Sequence, residues 1–122
     1  MNFRLKTSKE TEERLRQLSS STSLTPNILA RLAIALSLNV KETPQKVKDT
    51  GGAEYNRNTL TGKYDYVYKT LIAQHAGIEI SDDEFFPGLF NEHLERGVRL
   101  LSVEYQYAGN YEKLITNLIE KC

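Results

Sequence analysis

Tryptophan is absent from this chain of 122 residues, and methionine and cysteine occur once each. The lone cysteine, Cys122, supplies neither a disulfide framework nor a metal cluster and reads as a bystander thiol. No apolar run approaches the roughly 18 to 20 residues that a membrane span needs. The longest, Ile28 to Leu38, is interrupted by Arg31. The opening residues Met1-Asn2-Phe3-Arg4-Leu5-Lys6 lack the apolar stretch of a signal peptide, so a cytoplasmic protein without membrane contact is expected. Internal repeats are missing as well. Neither sign of charge is in excess, since 16 Lys and Arg balance 16 Asp and Glu. That balance hides an asymmetry. Residues 1–69 carry twelve basic and seven acidic side chains (+5), whereas residues 70–122 carry four and nine (−5). Such a split suggests one face for a polyanion and another for other work; head-to-tail self-association is the blander reading.

What is present begins with periodicity. Residues 2–7 alternate polar and apolar, which predicts a short strand with Phe3 and Leu5 toward the core and Asn2, Arg4 and Lys6 outward. Thr7 to Ser19 follows as a polar helix with a thin Leu15/Leu18 stripe, opened by a Thr7/Glu10 capping box and stopped by the hydroxyl run 19–23. Thr25 then caps a second helix with Pro26 at its first position, where the missing N–H costs nothing. This helix, to about Leu38, is apolar nearly all round and is expected to be buried on most sides, partly by a neighbouring subunit. A strand this short has no partner within residues 1–40, so it is expected to pair with the same strand of a second chain. That plan resembles the ribbon-helix-helix group, whose members bind DNA as dimers.

The remainder reads as a basic loop region (41–63) and a helical part (64–122) of a single domain, 1–122. Residues 54–64 read as polar loop. A helix is predicted over Tyr64 to Ala76, with Val67, Leu71 and Ile72 inward and Gly77 as its stop. Ser81 to Glu84 forms a second capping box, and Phe86, Phe90, Leu94, Val98 and Leu101 keep helical spacing, with Pro87-Gly88 delaying the start. A last helix is placed from Asn110, with Tyr111, Leu114, Ile115, Leu118 and Ile119 on one side. The fold class is therefore mainly α, a short strand followed by about five helices.

Few residues carry chemistry. His75 and His93 lack a partner at metal-ligand spacing. Asp82, Asp83 and Glu84 fit helix N-terminal charges better than a metal site. A phosphate-cradling glycine loop, a Ser-His-Asp order and a nucleophilic cysteine context are missing. Neither catalysis, nor a metal, nor a cofactor is expected. Arg4, Lys6, Lys41, Lys46, Lys48, Arg57, Lys63 and Lys69 are the candidates for phosphate contact, which adds affinity without sequence information. The helix-two amides near Thr25, Asn27 and Ile28 are a second candidate, although a plain cap accounts for them too. Arg31, among apolar neighbours, reads as structural. Tyr55, Tyr64, Tyr66 and Tyr68 lie near these bases and suit packing better than base stacking. Phe3, Leu5, Ile28, Leu29, Leu32 and Leu36 are the candidate oligomer interface.

At residues 25–31 (Thr-Pro-Asn-Ile-Leu-Ala-Arg) and 56–65 (Asn-Arg-Asn-Thr-Leu-Thr-Gly-Lys-Tyr-Asp) the chain resembles the DndE family of the DNA phosphorothioation system, which replaces a non-bridging phosphate oxygen of DNA with sulfur. The resemblance spans nearly the whole chain. It implies a DNA-binding component of a multi-protein modification complex, a homo-oligomer, specifically a tetramer, and a preference for nicked duplex. One departure is Ser23, where the family usually has glycine before its Thr-Pro-Asn. Three readings follow. The first is a non-catalytic, backbone-binding oligomer working with other sulfur-modification proteins. The second is a sequence-specific ribbon-helix-helix repressor, and the third a protein-only assembly scaffold. A nicking enzyme is a distant fourth.

Overall fold

A computed structural model describes residues 2–121; Cys122 lies outside them. The order is β1 (Arg4–Lys6), α1 (Lys9–Thr22), α2 (Pro26–Leu38), β2 (Glu54–Asn56), α3 (Arg57–Thr61), a 3-10 turn (Gly62–Tyr64), α4 (Asp65–Ala76), a wide turn (Glu84–Leu89), α5 (Phe90–Ala108) and α6 (Tyr111–Lys121). The mainly α class holds, with strand, helix and helix leading the chain as expected. No helix among the described residues is long and apolar enough to cross a membrane.

The partner of β1 differs from expectation. It is β2 of the same chain, antiparallel, with Arg4 opposite Asn56, Leu5 opposite Tyr55 and Lys6 opposite Glu54. Residues 54–56, read from sequence as polar loop, supply the missing strand. The loop before them is stitched to the end of β1: Thr7 N–H donates to Ala53 O (3.0 Å) and Gly52 N–H to Thr7 O (2.8 Å). Gly52 permits this closeness, because a Cβ there would collide with the Ser8 carbonyl oxygen. The strand β1 thus finds its partner within the chain, and no second copy is needed to form the ribbon.

Helix α1 starts one residue later than predicted. Thr7 Oγ1 is engaged with the backbone, donating to Ser8 O and accepting from Ala53 N. Ser8 is the cap instead, its Oγ accepting from Thr11 N at 3.0 Å. The hydroxyl run stops the helix only at its far end. Thr22 Oγ1 donates back to Leu18 O, and α1 continues to Thr22. It ends at Ser23, which sits in the left-handed region (φ 64°, ψ 11°). A side chain there costs about 1 kcal/mol relative to glycine. Ser23→Gly is accordingly expected to stabilise the protein by about 0.5–1 kcal/mol, read as a rise in the urea midpoint at unchanged slope.

The core is built on the crossing of α2 and α5, the most extensive helix pairing in the molecule. Leu29, Ala30, Ala33 and Ile34 of α2 face Phe90, Leu94, Val98 and Leu101 of α5, all buried. Leu15 and Leu18 of α1 close one side, and Leu5 of β1 another. The aromatic segment begins as predicted at a Ser81/Glu84 capping box, with Glu84 N–H donating to Ser81 Oγ (3.1 Å) and Ser81 N–H to Glu84 Oε1 (2.9 Å). Phe86 is extended (φ −134°, ψ 128°) and its bond to Pro87 is cis, so regular helix resumes only at Phe90. Phe85, Phe86 and Phe90 nonetheless pack together, with ring centroids 5.5–6.2 Å apart.

Helix α4 starts and stops as predicted, with Gly77 left-handed at its end. Its inward face is narrower than expected. Ile72 is buried, but Val67 (48% exposed) and Leu71 (39%) face outward. Tyr68 takes the inward role, its ring set edge-on to Phe90. In α6, Leu114 and Leu118 are buried, whereas Tyr111 and Ile119 are exposed.

Candidate nucleic-acid interface

The basic side chains picked out by sequence do not form one surface. Arg57 is the clearest departure. It is buried, and its guanidinium makes bidentate pairs with Asp65 (2.8 Å) and Asp82 (2.7 Å). A further N–H donates to Asn2 O, and the Phe85 and Phe86 rings flank the group at 5.1 and 5.2 Å. The hydrogen bonds it donates to Asp65 and Asp82 push its pKa up further and hold both carboxyls below the usual aspartate range. Its donors are committed inside the chain. Lys69, half-buried, has the Asp82 charge nearby.

Arg4 and Lys6 lie on the outer face of the ribbon with Glu54 and Asn56. Arg4 pairs with Glu54 at 3.2 Å, an exposed contact of small energetic weight. Lys63 is exposed, its ammonium 5.3 Å from the centre of the Tyr64 ring. Tyr64 and Tyr66 are themselves exposed, while burial raises the pKa of the half-buried Tyr55 and Tyr68 phenols. Lys41 is exposed just beyond α2.

Lys46 and Lys48 do come together, and an unpredicted residue joins them. With Arg99 of α5 they line a cleft of about 280 Å³, which Ser8, Asp49 and Glu95 line as well. Among the described residues, none of these three cations has an ion-pair partner within 4 Å. The acidic groups of the cleft are occupied. Glu95 accepts from Ser8 Oγ (2.6 Å) and Ser8 N (3.3 Å). Asp49 accepts from Lys9 N (3.0 Å) and Gly51 N (2.8 Å), and these bonds hold its carboxyl below the usual range. Burial pushes Glu92 up, with Lys46 opposing. Arg99 belongs to the acidic half of the sequence. Its i+4 relation to Glu95 was the available signal, and only knowledge of the loop's path gives it meaning.

Other titratable groups near α5 serve the scaffold. Arg96 donates to Ser37 O, Val40 O and Glu42 O, closing the C-terminal end of α2. Ser37 Oγ accepts from Arg96 Nε (2.9 Å) and lies 2.8 Å from His93 Nδ1. Burial, with His75 and Arg96 alongside, pushes the His93 imidazole down to about 4. Arg31 is structural, as read from sequence, donating to Leu60 O and Thr59 O at the end of α3. Thr25 caps α2 without a side-chain hydrogen bond.

The candidate interface residues also divide. Leu5 and Leu29 are at most 1% exposed within the chain's own core and offer nothing to a second copy. Leu32 and Leu36 are half-buried, and Phe3 and Ile28 are exposed. Val67 and Leu71 of α4, read from sequence as core, are exposed instead.

A family model described as DNA sulphur modification protein DndE matches residues 4–120. None of the curated proteins matches the chain. Among solved structures, the chain is similar to DndE from Escherichia coli B7A, involved in DNA phosphorothioation modification. The TM-score is 0.68 at 23% identity, over 83% of this chain and 97% of that one. It is also similar to a double glycine-to-lysine mutant of DndE involved in DNA phosphorothioation. That TM-score is 0.63 at 24% identity, with the same coverage.

Proposed function

The chain belongs to the DndE family of DNA sulphur modification proteins, and on that premise we propose that it is the non-catalytic component that holds the backbone of duplex DNA for the modification machinery. The observation that carries this reading is the cluster of Lys46, Lys48 and Arg99 round one cleft, with its acidic groups engaged by backbone amides and Ser8. Cations so placed attract phosphate by counterion release and ignore base identity. The preference for nicked duplex comes with the family resemblance; exposed Tyr64 and Tyr66 are the rings available to stack at a break. A non-catalytic role accords with the engagement of His93, Glu95 and Arg96 in structural hydrogen bonds. The tetramer is carried by the exposed apolar side chains Ile28, Val67 and Leu71 and by half-buried Leu32, in place of Leu5 and Leu29.

Binding to intact and nicked duplex over a salt series tests the reading. Lys46→Glu with Lys48→Glu is expected to weaken binding to every sequence about equally, by about tenfold or more. Neutralising both with alanine is expected to lower the salt slope by about 2. No affinity for either duplex at low salt sinks the proposal. The repressor reading loses support because the ribbon closes within one chain and Arg4 is shared with Glu54. A scaffold role keeps one observation in its favour, the exposed Val103 and Tyr107 beside Glu104 and Glu120 on α5 and α6. Co-purification with partner proteins without any DNA affinity is its signature.

A further inference from the structure

The segment that carries Lys46 and Lys48 is fastened at both ends. At its start, Arg96 Nη1 donates to Glu42 O at 2.6 Å. At its end, Gly52 and Ala53 are stitched to Thr7. Residues 43–51 between these anchors contain no helix or strand. Pro44 is buried and Val47 half-buried, but hydrophobic contact alone does not set the position of a charged side chain. Among the described residues, one side chain ties this stretch to the body of the protein by hydrogen bonds. Asp49 Oδ2 accepts from Lys9 N, the first residue of α1, while Oδ1 accepts from Gly51 N and closes a local turn.

We propose that Asp49 is a positioning residue, a latch that pins the loop to the start of α1 and so fixes Lys46 and Lys48 in the cleft they share with Arg99. The inference rests on the DNA-backbone reading above and deepens it. A carboxylate bound to the first amide of a helix is a charge-assisted contact at a favourable dipole end. With it in place, the two lysines meet a phosphate backbone from a loop already ordered. Without it, Pro44 and Val47 pack but, among the described residues, no side-chain hydrogen bond ties the stretch to the body of the protein between its ends, and binding must order the lysines. The same carboxylate stands close to the cations that would meet phosphate. A purely repulsive role for it makes the opposite prediction, and the two are separable.

The test compares wild type, Asp49→Asn and Asp49→Ala in binding to a fixed nicked duplex over a salt series, with hydrogen exchange measured on the free proteins. Asparagine keeps one acceptor oxygen and loses the charge; alanine loses both acceptors. The latch predicts the affinity order wild type, then Asp49→Asn, then Asp49→Ala. The last is expected to be about five- to twentyfold weaker, with faster exchange across residues 43–51 and an unchanged melting temperature. If both variants bind as tightly as wild type, or more tightly, the latch is wrong and the DNA-backbone reading stands. If wild type itself ignores DNA at low salt, the DNA-backbone reading fails first. A general drop in melting temperature for Asp49→Ala, without selective exchange in the loop, also overturns the latch.

Discussion

Replacing Gly97 with alanine is expected to cost about 3 kcal/mol or more, a large part of the 5–15 kcal/mol that holds an ordinary domain together. Gly97 lies in the middle of α5 where that helix crosses α2. A Cβ at this position would collide with the carbonyl oxygen and carbon of Ala33 and lie 2.9 Å from its Cα. All three are backbone atoms. Trimming the side chain across the crossing therefore gives no relief, and Ala33→Gly is not expected to rescue the variant. The helices have to separate, and the neighbours Leu29, Ile34, Leu94, Val98 and Leu101 lose their contacts together. Because this crossing also carries Arg96 to Glu42 and Glu95 to Ser8, separation loosens the first anchor of the basic loop and the Glu95–Ser8 contact in the cleft. Urea unfolding measures the loss. A Gly97→Ala protein within 1 kcal/mol of wild type contradicts the tight crossing.

Arg57→Ala is the second substitution with a large expected effect, and its readout differs. Removing the guanidinium takes from Asp65 and Asp82 the cation they share, leaving Asp82 only the more distant Lys69 charge, and removes a flat cation from beside Phe85 and Phe86. Breaking a buried pair costs about 3–5 kcal/mol; the carboxylates are about one-third exposed, which places the expectation near the lower end, about 3 kcal/mol. Arg57→Lys is expected to fall between, since an ammonium cannot serve both carboxylates through a planar fork. The effect depends on pH with a definite sign. Arg57 lowers the folded-state pKa of both aspartates, so the stability they contribute is complete above the usual aspartate range near pH 4. It is lost as pH falls through their lowered values. The gap between wild type and Arg57→Ala is expected to be wide at about pH 7 and to narrow below about pH 3. A gap that stays constant over that range shows that the ion pairs are not its source. The salt slope of DNA binding by the folded variant is expected to match wild type, because Arg57 makes no surface contact.

The same residue shows where sequence reading reached its limit. Arg57 looks like any cation in a polar stretch, next to Asn56, Asn58 and Thr59. Its two partners lie 8 and 25 residues away, and no local periodicity links them. The strand β1 is a similar case. Its alternation correctly put Leu5 inward, yet its partner lies about 50 residues on, in a three-residue strand too short and too polar to announce itself. Arg99 was missed for a third reason. Counting charge along the chain set it in an acidic half, whereas the fold brings it to Lys46 and Lys48. Val67 and Leu71 had apolar character and helical spacing, and spacing alone does not say whether an apolar stripe faces the core or solvent.

Some elements were set by the sequence alone. The start of α2 at Thr25-Pro26, the stop of α4 at Gly77 and the Ser81/Glu84 capping box all rest on interactions within a few residues. Short-range backbone chemistry leaves a local signature, so these could be read directly. Tertiary structure alone decided the pairing of β1 with β2, the burial of Arg57 and the grouping of Lys46, Lys48 and Arg99. Each depends on segments distant in sequence, brought together because α2 and α5 bury their apolar faces against each other. The charges then go where the backbone leaves them, which their order along the chain does not encode.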